Sequence, residues 1–368
     1  MIQPIKVPTY HHSDLKLFTQ RIFSALGCPD QQAGTAADVL IAADLRGVDS
    51  HGVARLSGYV RLWEIGRINP VPDIRVSHET PGTALLDGDG GLGLVSGPVA
   101  MGIAISKARG VGTGWVAVKN SNHFGIAGYH AMMALPEDMI GISMTNASPL
   151  VAPTFSTERL LGTNPIAVAV PAGEEQPFVA DFATTTAANG KLEILQRKGE
   201  AAPAGWIQDA EGKMSTDPHE LKRGGALLPL GSDREHGSHK GYCLGAIVDI
   251  FSAVLSGANY GPWVPPFVSF LPLAENMPGQ GIGHFFGAMR IDAFRPSAEF
   301  KAHMDQWIRR FRVANAVNGA ETVLIPGDPE RDNTARRIQD GIPLLEAVEN
   351  DLLELSRKFG IPFPARIR

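Results

Sequence analysis

The chain has only two cysteines in 368 residues, Cys28 and Cys243, and no C-x-x-C spacing. A disulfide-stapled scaffold and a thiolate metal site are therefore not what organises it, and a reducing compartment fits. H-E-x-x-H is also absent, and His123 and His130 stand seven apart, too far along a helix to share an ion, so no metal is expected. Positive charge is not in excess: 33 Lys and Arg face 38 Asp and Glu, the net charge is −5, and no basic patch stands out, which argues against a nucleic-acid partner. Long apolar runs are lacking too. The best candidate, 241–255, carries Asp249 and several small residues and falls short of a membrane span, and no signal-peptide pattern opens the chain. G-x-S-x-G does not occur, so a serine hydrolase built on Ser50 or Ser148 lacks its nucleophile elbow. These absences leave a soluble protein, expected in the cytoplasm.

What is present is ample material for a core. The apolar fraction is 44%, and the length predicts two or three domains at roughly 150 residues each. Leu15, Phe18, Ile22 and Leu26 predict an N-terminal helix over 13–26. A second runs from Asp30 to Leu45, with Gly47 as its C-terminal cap. Val53, Leu56, Val60 and Trp63 predict a third, with Asp49 or Ser50 as N-cap. Between the second and third lies Asp49-Ser-His-Gly-Val-Ala-Arg55. Spacing puts His51, Arg55 and Tyr59 four apart, on the face opposite the apolar stripe, as a lining for a small anion. The competing reading is a solvated polar helix face.

Further on, Gly88-Asp-Gly90-Gly-Leu-Gly93 fits G-x-G-x-x-G between a strand at Thr83–Asp87 and a helix near 98–108. A dinucleotide fold would next need a carboxylate closing the following strand. That strand, Gly114–Val118, ends in Lys119-Asn120, a pair compatible with a 2′-phosphate but not with the usual ribose contact. His123 follows at a strand-to-helix junction, where functional groups are common. Short strands at Ile140–Met144, Ile166–Val170 and Phe178–Asp181 then alternate with turns of Thr, Asn, Ser and Pro. Those turn residues suit ribose and phosphate oxygens, and they are equally the ordinary residues of turns. Asp181 ends an apolar segment, where an unpaired carboxylate is costly, so it should have a partner. Loops with a weak strand near 205–208 lead to Gly237-Ser-His-Lys-Gly241, a helix start suited to an anion or simply a helix start. The Pro/Gly-rich stretch 257–283 reads as a surface excursion, a lid or a contact between subunits. A strand at Phe285–Ile291, an amphipathic helix over 297–316, a turn at 325–330 and a helix near Leu344–Phe359 close the chain.

Seven of these pieces, in this order, resemble the type-2 malate/L-lactate dehydrogenase family, which includes ureidoglycolate and sulfolactate dehydrogenases, diketogulonate reductase and piperideine-carboxylate reductase. They are Asp49-Ser-His-Gly-Val with Arg55, Ser121-Asn-His-Phe-Gly125, Thr145-Asn-Ala-Ser-Pro149, Leu161-Gly-Thr-Asn-Pro165, Asp181-Phe-Ala-Thr184, His239-Lys-Gly-Tyr242 and Pro326-Gly-Asp-Pro-Glu330. The resemblance implies an α/β (α+β), non-Rossmann fold for NAD or NADP, with a mostly antiparallel sheet in the cofactor domain and a helical domain from both termini. The implied division is 1–70 with 310–368 helical, 71–138 with 284–309 middle α/β, and 139–283 cofactor-binding. Gly88–Gly93 becomes a turn. The cofactor would run along Thr145, Asn146 and Ser148, along Asp181, Phe182, Ala183 and Thr184, along His239, Lys240 and Gly241, and along Gly327, Asp328 and Pro329. Arg55, Tyr59 and Thr163 would hold a small 2-oxo or 2-hydroxy acid, His51 or His123 would move the proton, and Ser50 would orient His51. A homodimer is expected. A reductase of a cyclic imino acid or sugar-derived oxo acid is the alternative on the same fold, and a non-enzymatic small-molecule binder the alternative from another class.

Overall fold

A computed structural model describes residues 7–367. The chain opens with β1 (Thr9–Tyr10), α1 (His12–Ala25) and α2 (Asp30–Leu45), then two single 3₁₀ turns, Asp49–His51 and Val53–Arg55, and α3 (Leu56–Glu64). Next come β2 (Arg75–Glu79), β3 (Thr83–Asp87), α4 (Gly93–Val111), β4 (Thr113–Ser121) and α5 (Ala127–Met132). β5 (Met139–Thr145), β6 (Ile166–Val170), β7 (Phe178–Phe182) and α6 (Asn189–Lys198) follow. Three short strands, β8 (Ile207–Gln208), β9 (Met214–Ser215) and β10 (Ala226–Leu227), lead to α7 (Ser238–Asp249), prolonged by a wider turn through Val254. β11 (Ile282–Arg290), α8 (Ser297–Arg312), α9 (Asp328–Asp340), β12 (Ile342–Pro343) and α10 (Glu346–Phe359) complete it.

Seven strands form one sheet in the order β2-β3-β4-β11-β5-β6-β7. Only β3–β4 is parallel, the other five pairings being antiparallel. The parallel pair with α4 between is a βαβ unit, so the local strand–turn–helix pattern was read correctly, and it is the rest of the sheet that departs from a Rossmann fold. The Gly88–Gly93 turn is spent internally. Gly88 and Gly90 donate to Lys119 O and Asn120 O, and a Cβ on Gly93 would lie 2.0 Å from Asn122 O. Backbone already fills the place a pyrophosphate would need. Lys119 and Asn120 are likewise engaged, with Asp87.

α4 packs on the sheet through Ala100, Met101, Ala104, Ile105 and Ala108. Its small residues let the backbones approach closely: a Cβ on Gly114 would stand 2.0 Å from Ala104 O. A second apolar cluster joins α1, α2 and α3 to β12 and α10 through Phe18, Ile22, Leu40, Leu56, Leu352 and Leu355, uniting the two chain ends. A third, around Leu150, Leu161, Leu192, Ile207 and Leu227, lies under the small β10-β8-β9 sheet. β5, β6 and β7 fall inside the 139–283 segment yet continue the same sheet as β2–β4.

Two helices have no counterpart in the sequence reading. α6 (NGKLEILQRK) and α9 (DPERDNTARRIQD) are mostly polar, so neither shows a clear apolar period. Tyr59 also departs from expectation. It meets the site's His123 through its hydroxyl but is fully buried and lines no part of the cavity, because the loop after β4 covers that side of α3.

Candidate active site

Construction of the site begins at the end of α2. The chain turns away through Gly47 at φ +81°, and the fully buried Asp44 carboxyl accepts from Val53 N–H at 2.8 Å. Gly52 has to be glycine here, since a Cβ would lie 1.9 Å from Asp44 Oδ1. From behind, Arg337 of α9 donates to Asp44 O and to both oxygens of Asp49. Asp49 is therefore an ion-pair partner, and neither it nor Ser50 caps a helix by its side chain. The turn is rigid before any ligand arrives.

His51 projects from this turn with Nδ1 2.9 Å from Ser50 Oγ. Its ring stacks on His123, the centroids 5.6 Å apart. His123 is held from its other side: Tyr59 Oη is 2.6 Å from Nδ1, and Gly125 N–H donates to Nδ1 at 3.4 Å. A backbone N–H can only donate, so Nδ1 is the acceptor and the neutral ring carries its proton on Nε2. Arg55 is anchored by its Nε on Ser50 O. His51, Arg55, His123, Ser148 and Thr163 line one cavity of about 70 Å³, closed by Ala188–Gly190 of α6 and by Phe267 and Val268.

Burial lowers the His51 pKa to about 3, with the Arg55 charge adding to it. Burial likewise takes His123 well below the usual imidazole range, helped by His51 and Arg55. Both rings show some accessible surface because they face the cavity, while protein encloses them elsewhere. Both are therefore neutral near pH 7. A bound carboxylate on Arg55 would offset the cation that opposes their protonation.

Two more histidines, His130 and His284, are buried behind the site, their pKa values lowered to about 4 and about 3 by burial. Four depressed histidines have a consequence for stability. Between about pH 4 and 6.5 the unfolded chain binds more protons at these positions than the folded one, so stability falls as pH drops below 6.5. The raised carboxyls Asp44, Asp249 and Asp181, the last pushed up to about 6 by desolvation although part of its surface is accessible, oppose this in part. The expected net slope is about 1–3 kcal/mol per pH unit, from about 1.4 kcal/mol per proton. Thermal midpoints at pH 7 and pH 5 check it, and a midpoint that does not fall contradicts it.

The other expected residues are distributed as follows. Thr145 Oγ1 is bound to His284 Nδ1 at 2.7 Å, and Asn146 ties Asp249, Asn259 and Gly283 together, so both side chains are structural ties. Ser148 Oγ accepts from Phe267 N–H at 2.8 Å. Thr184 Oγ1 donates to Thr163 O and Asn164 O. Asp181 has the partner its position demanded: Oδ2 accepts from Gly128 N–H at 2.7 Å. The residue is nonetheless exposed, as is the neighbouring ring of Phe182. At the start of α7, His239 contacts Arg234 and Lys240 is exposed. A recess of about 330 Å³ there is lined by Thr154, Gln208, Arg234 and Ser238 and shares no residue with the histidine cavity. Gly327 caps α9 at φ +101°, Pro329 occupies its first turn, and Asp328 is paired with Arg312 and Arg331. Asn189, Gly190, Phe267 and Val268 were not anticipated. Only the proline-rich excursion containing the last two gave a signal.

Nearly the whole chain is similar to known proteins. A sequence model described as malate/L-lactate dehydrogenase matches residues 10–353. The malate dehydrogenase of Pyrococcus abyssi is 45% identical over 349 residues, covering 95% of this chain and 94% of that protein. The L-sulfolactate dehydrogenase of Methanocaldococcus jannaschii is 38% identical, covering 92% and 94%. The crystal structure of malate dehydrogenase from Entamoeba histolytica superposes with a TM-score of 0.91 at 36% identity, over 98% of this chain and 100% of that one.

Proposed function

The chain belongs to the malate/L-lactate dehydrogenase family, and from that premise we propose that it moves hydride between a nicotinamide cofactor and C2 of a small 2-hydroxy or 2-oxo acid at the His51–His123–Arg55 cavity. One observation carries the reading: two buried, neutral imidazoles and a guanidinium converge on a single small cavity. Carbonyl reduction develops negative charge on oxygen and needs a proton there, while the acid's carboxylate needs a fixed cation. Arg55 anchors the carboxylate. His51, with Nδ1 on Ser50, transfers the proton at the C2 oxygen. His123 presents Nε2–H to the same oxygen as a neutral donor, and Tyr59 acts behind it by fixing that tautomer.

The bound cofactor supplies or accepts the hydride. Its proposed cradle uses Ser148 and Thr163, which line the cavity, and then the exposed Asp181 and Phe182 with Ala183 and Thr184. The start of α7 fits an anionic group through its dipole and the exposed Lys240, with no side chain capping it, although Ser238 N–H and Lys240 N–H already donate to Asp233 O and Gly237 O. Gly241 keeps that helix close to Leu230, whose backbone a Cβ would meet at 2.4 Å. For Thr145, Asn146 and Asp328 the proposed role is to shape this cradle through the ties described above, with Gly327 and Pro329 setting the start of α9. A cytoplasmic setting suits the two free thiols.

The test is to mix the protein with NADH or NADPH and a panel that includes oxaloacetate, sulfopyruvate, pyruvate and a cyclic imino acid, following reduced-nicotinamide absorbance. Consumption with one oxo acid assigns substrate and cofactor together. Absence of turnover, with neither cofactor bound, would leave the binding-protein alternative.

The expected homodimer has a candidate seam. Ile247, Ile250, Phe251, Val254 and Leu255 are all exposed along one side of α7 and its extension, an apolar stripe of the kind monomers seldom leave in water. Light scattering should give twice the chain mass, and Ile250→Glu should shift the protein toward monomer. A monomeric parent protein would refute the seam.

A further inference from the structure

Arg55 does not wait empty for its ligand. Its Nη2 lies 3.7 Å from Glu193 Oε2 on α6, with the two side chains 17% and 34% exposed. Asn189 Nδ2 donates to Glu193 Oε1 at 2.8 Å, which steadies the carboxylate. The first turn of α6 rests on the catalytic turn: a Cβ on Gly190 would stand 2.7 Å from Ser50 Cβ and 3.1 Å from Arg55 Nη2. At 3.7 Å the pair is electrostatic, too long for a hydrogen bond. The guanidinium charge is thus only partly offset from nearby, and Glu193 makes no directional hydrogen bond to it.

Three cavities meet at Arg55, and Glu193 lines two of them. The histidine cavity of about 70 Å³ is one. A second, of about 320 Å³, lies between the catalytic turn, α6 and α10, with Glu193, Ile194, Leu345 and Val348 in its walls. A third, of about 390 Å³, is bounded by Ser57, Arg61, Glu193 and Phe267. Arg55 lines all three. Alone, the histidine cavity is far below the roughly 300–1,000 Å³ of ordinary ligand pockets. The two larger spaces adjoin it across Arg55.

We propose that Glu193 is an internal stand-in for the substrate's carboxylate, which holds α6 against the catalytic turn and is displaced when a 2-oxo acid takes Arg55, joining the histidine cavity to the space beside it. This rests on the reading of Arg55 as the carboxylate anchor. The substrate wins the exchange because its carboxylate can make paired, charge-assisted hydrogen bonds with the guanidinium, which Glu193 does not make. The closed state still lowers apparent affinity by the fraction of molecules it occupies. Glu193 is accordingly a positioning residue that sets the KM for the acid and leaves the chemical step alone.

Glu193→Gln removes the competing charge, and Glu193→Asp keeps the charge but withdraws it by one methylene. For a partly exposed pair the effect is modest. Both variants should lower the KM for the oxo acid about two- to fivefold, with kcat, the KM for the reduced nicotinamide and the thermal midpoint unchanged. In an Arg55→Gln background Glu193→Gln should do nothing further, because the two act through one contact. A KM that rises or stays constant in both Glu193 variants overturns the proposal, the first outcome showing that Glu193 braces Arg55 for substrate. If Arg55→Gln alone leaves KM unchanged, the anchor reading itself fails and this inference falls with it. If Arg55→Gln raises KM while the Glu193 variants do not lower it, only the stand-in is lost.

Discussion

His51→Asn should lower kcat by about 10²- to 10⁴-fold, the usual worth of a positioned general acid or base, with little change in the KM for the oxo acid. The side chain keeps much of the ring's volume and a polar end, so the Ser50 contact and the stack on His123 are disturbed less than the proton transfer. His123→Asn should cost less, about tenfold, since the amide still offers an N–H to the substrate oxygen. A reversal of these two magnitudes would transfer the proton role to His123, and full activity in both variants would remove the mechanism. The pH profile of the parent enzyme gives an independent reading. With His51 lowered to about 3 by burial, the protonated fraction available for carbonyl reduction falls about tenfold for each pH unit above that value. The kcat/KM for reduction should therefore decline steadily from pH 5 to pH 8. The kcat/KM for alcohol oxidation needs the neutral ring and should show no His51 inflection over the same range.

Arg55→Gln should raise the KM for the oxo acid about 10²- to 10³-fold. The estimate is two charge-assisted hydrogen bonds, together about 3–4 kcal/mol, lost without replacement. The KM for the nicotinamide should hardly move, because Arg55 is anchored on Ser50 in the turn and on none of the expected cofactor residues. Arg55→Lys should recover part of the loss, since a point charge replaces the fork but not its paired geometry. Equal rises in both KM values would mean that Arg55 supports the shape of the turn and does not grip a carboxylate.

Much of this molecule was legible before folding. α1, α2, α4, α7, α8 and α10 each carry an apolar period or a capping signal, and β5 to β7 and β11 show as short apolar runs between turn residues. The motifs around His51, His123, Ser148 and Thr163 were also visible, since each places polar groups in a turn next to a strand or helix. α6 and α9 were not visible, because a helix whose stability comes from ion pairs and from packing at its ends leaves little mark on apolar periodicity. The burial of Tyr59 was hidden for a related reason. Helical spacing says which residues share a face, but whether water or another loop meets that face is decided elsewhere in the chain.

By itself the sequence determined the chemical inventory: a histidine beside a serine, an arginine four residues on, a second histidine after a strand, and glycines wherever backbone had to approach backbone. Tertiary structure alone decided how the inventory is used. It stacked His51 on His123 from segments 72 residues apart in sequence, turned Tyr59 inward to fix one imidazole tautomer, drew Asn146 and Asp328 into structural ties, and set Glu193 against Arg55. These outcomes depend on distances between groups remote along the chain, and local pattern carries no information about such distances until the sheet and the three apolar clusters have closed.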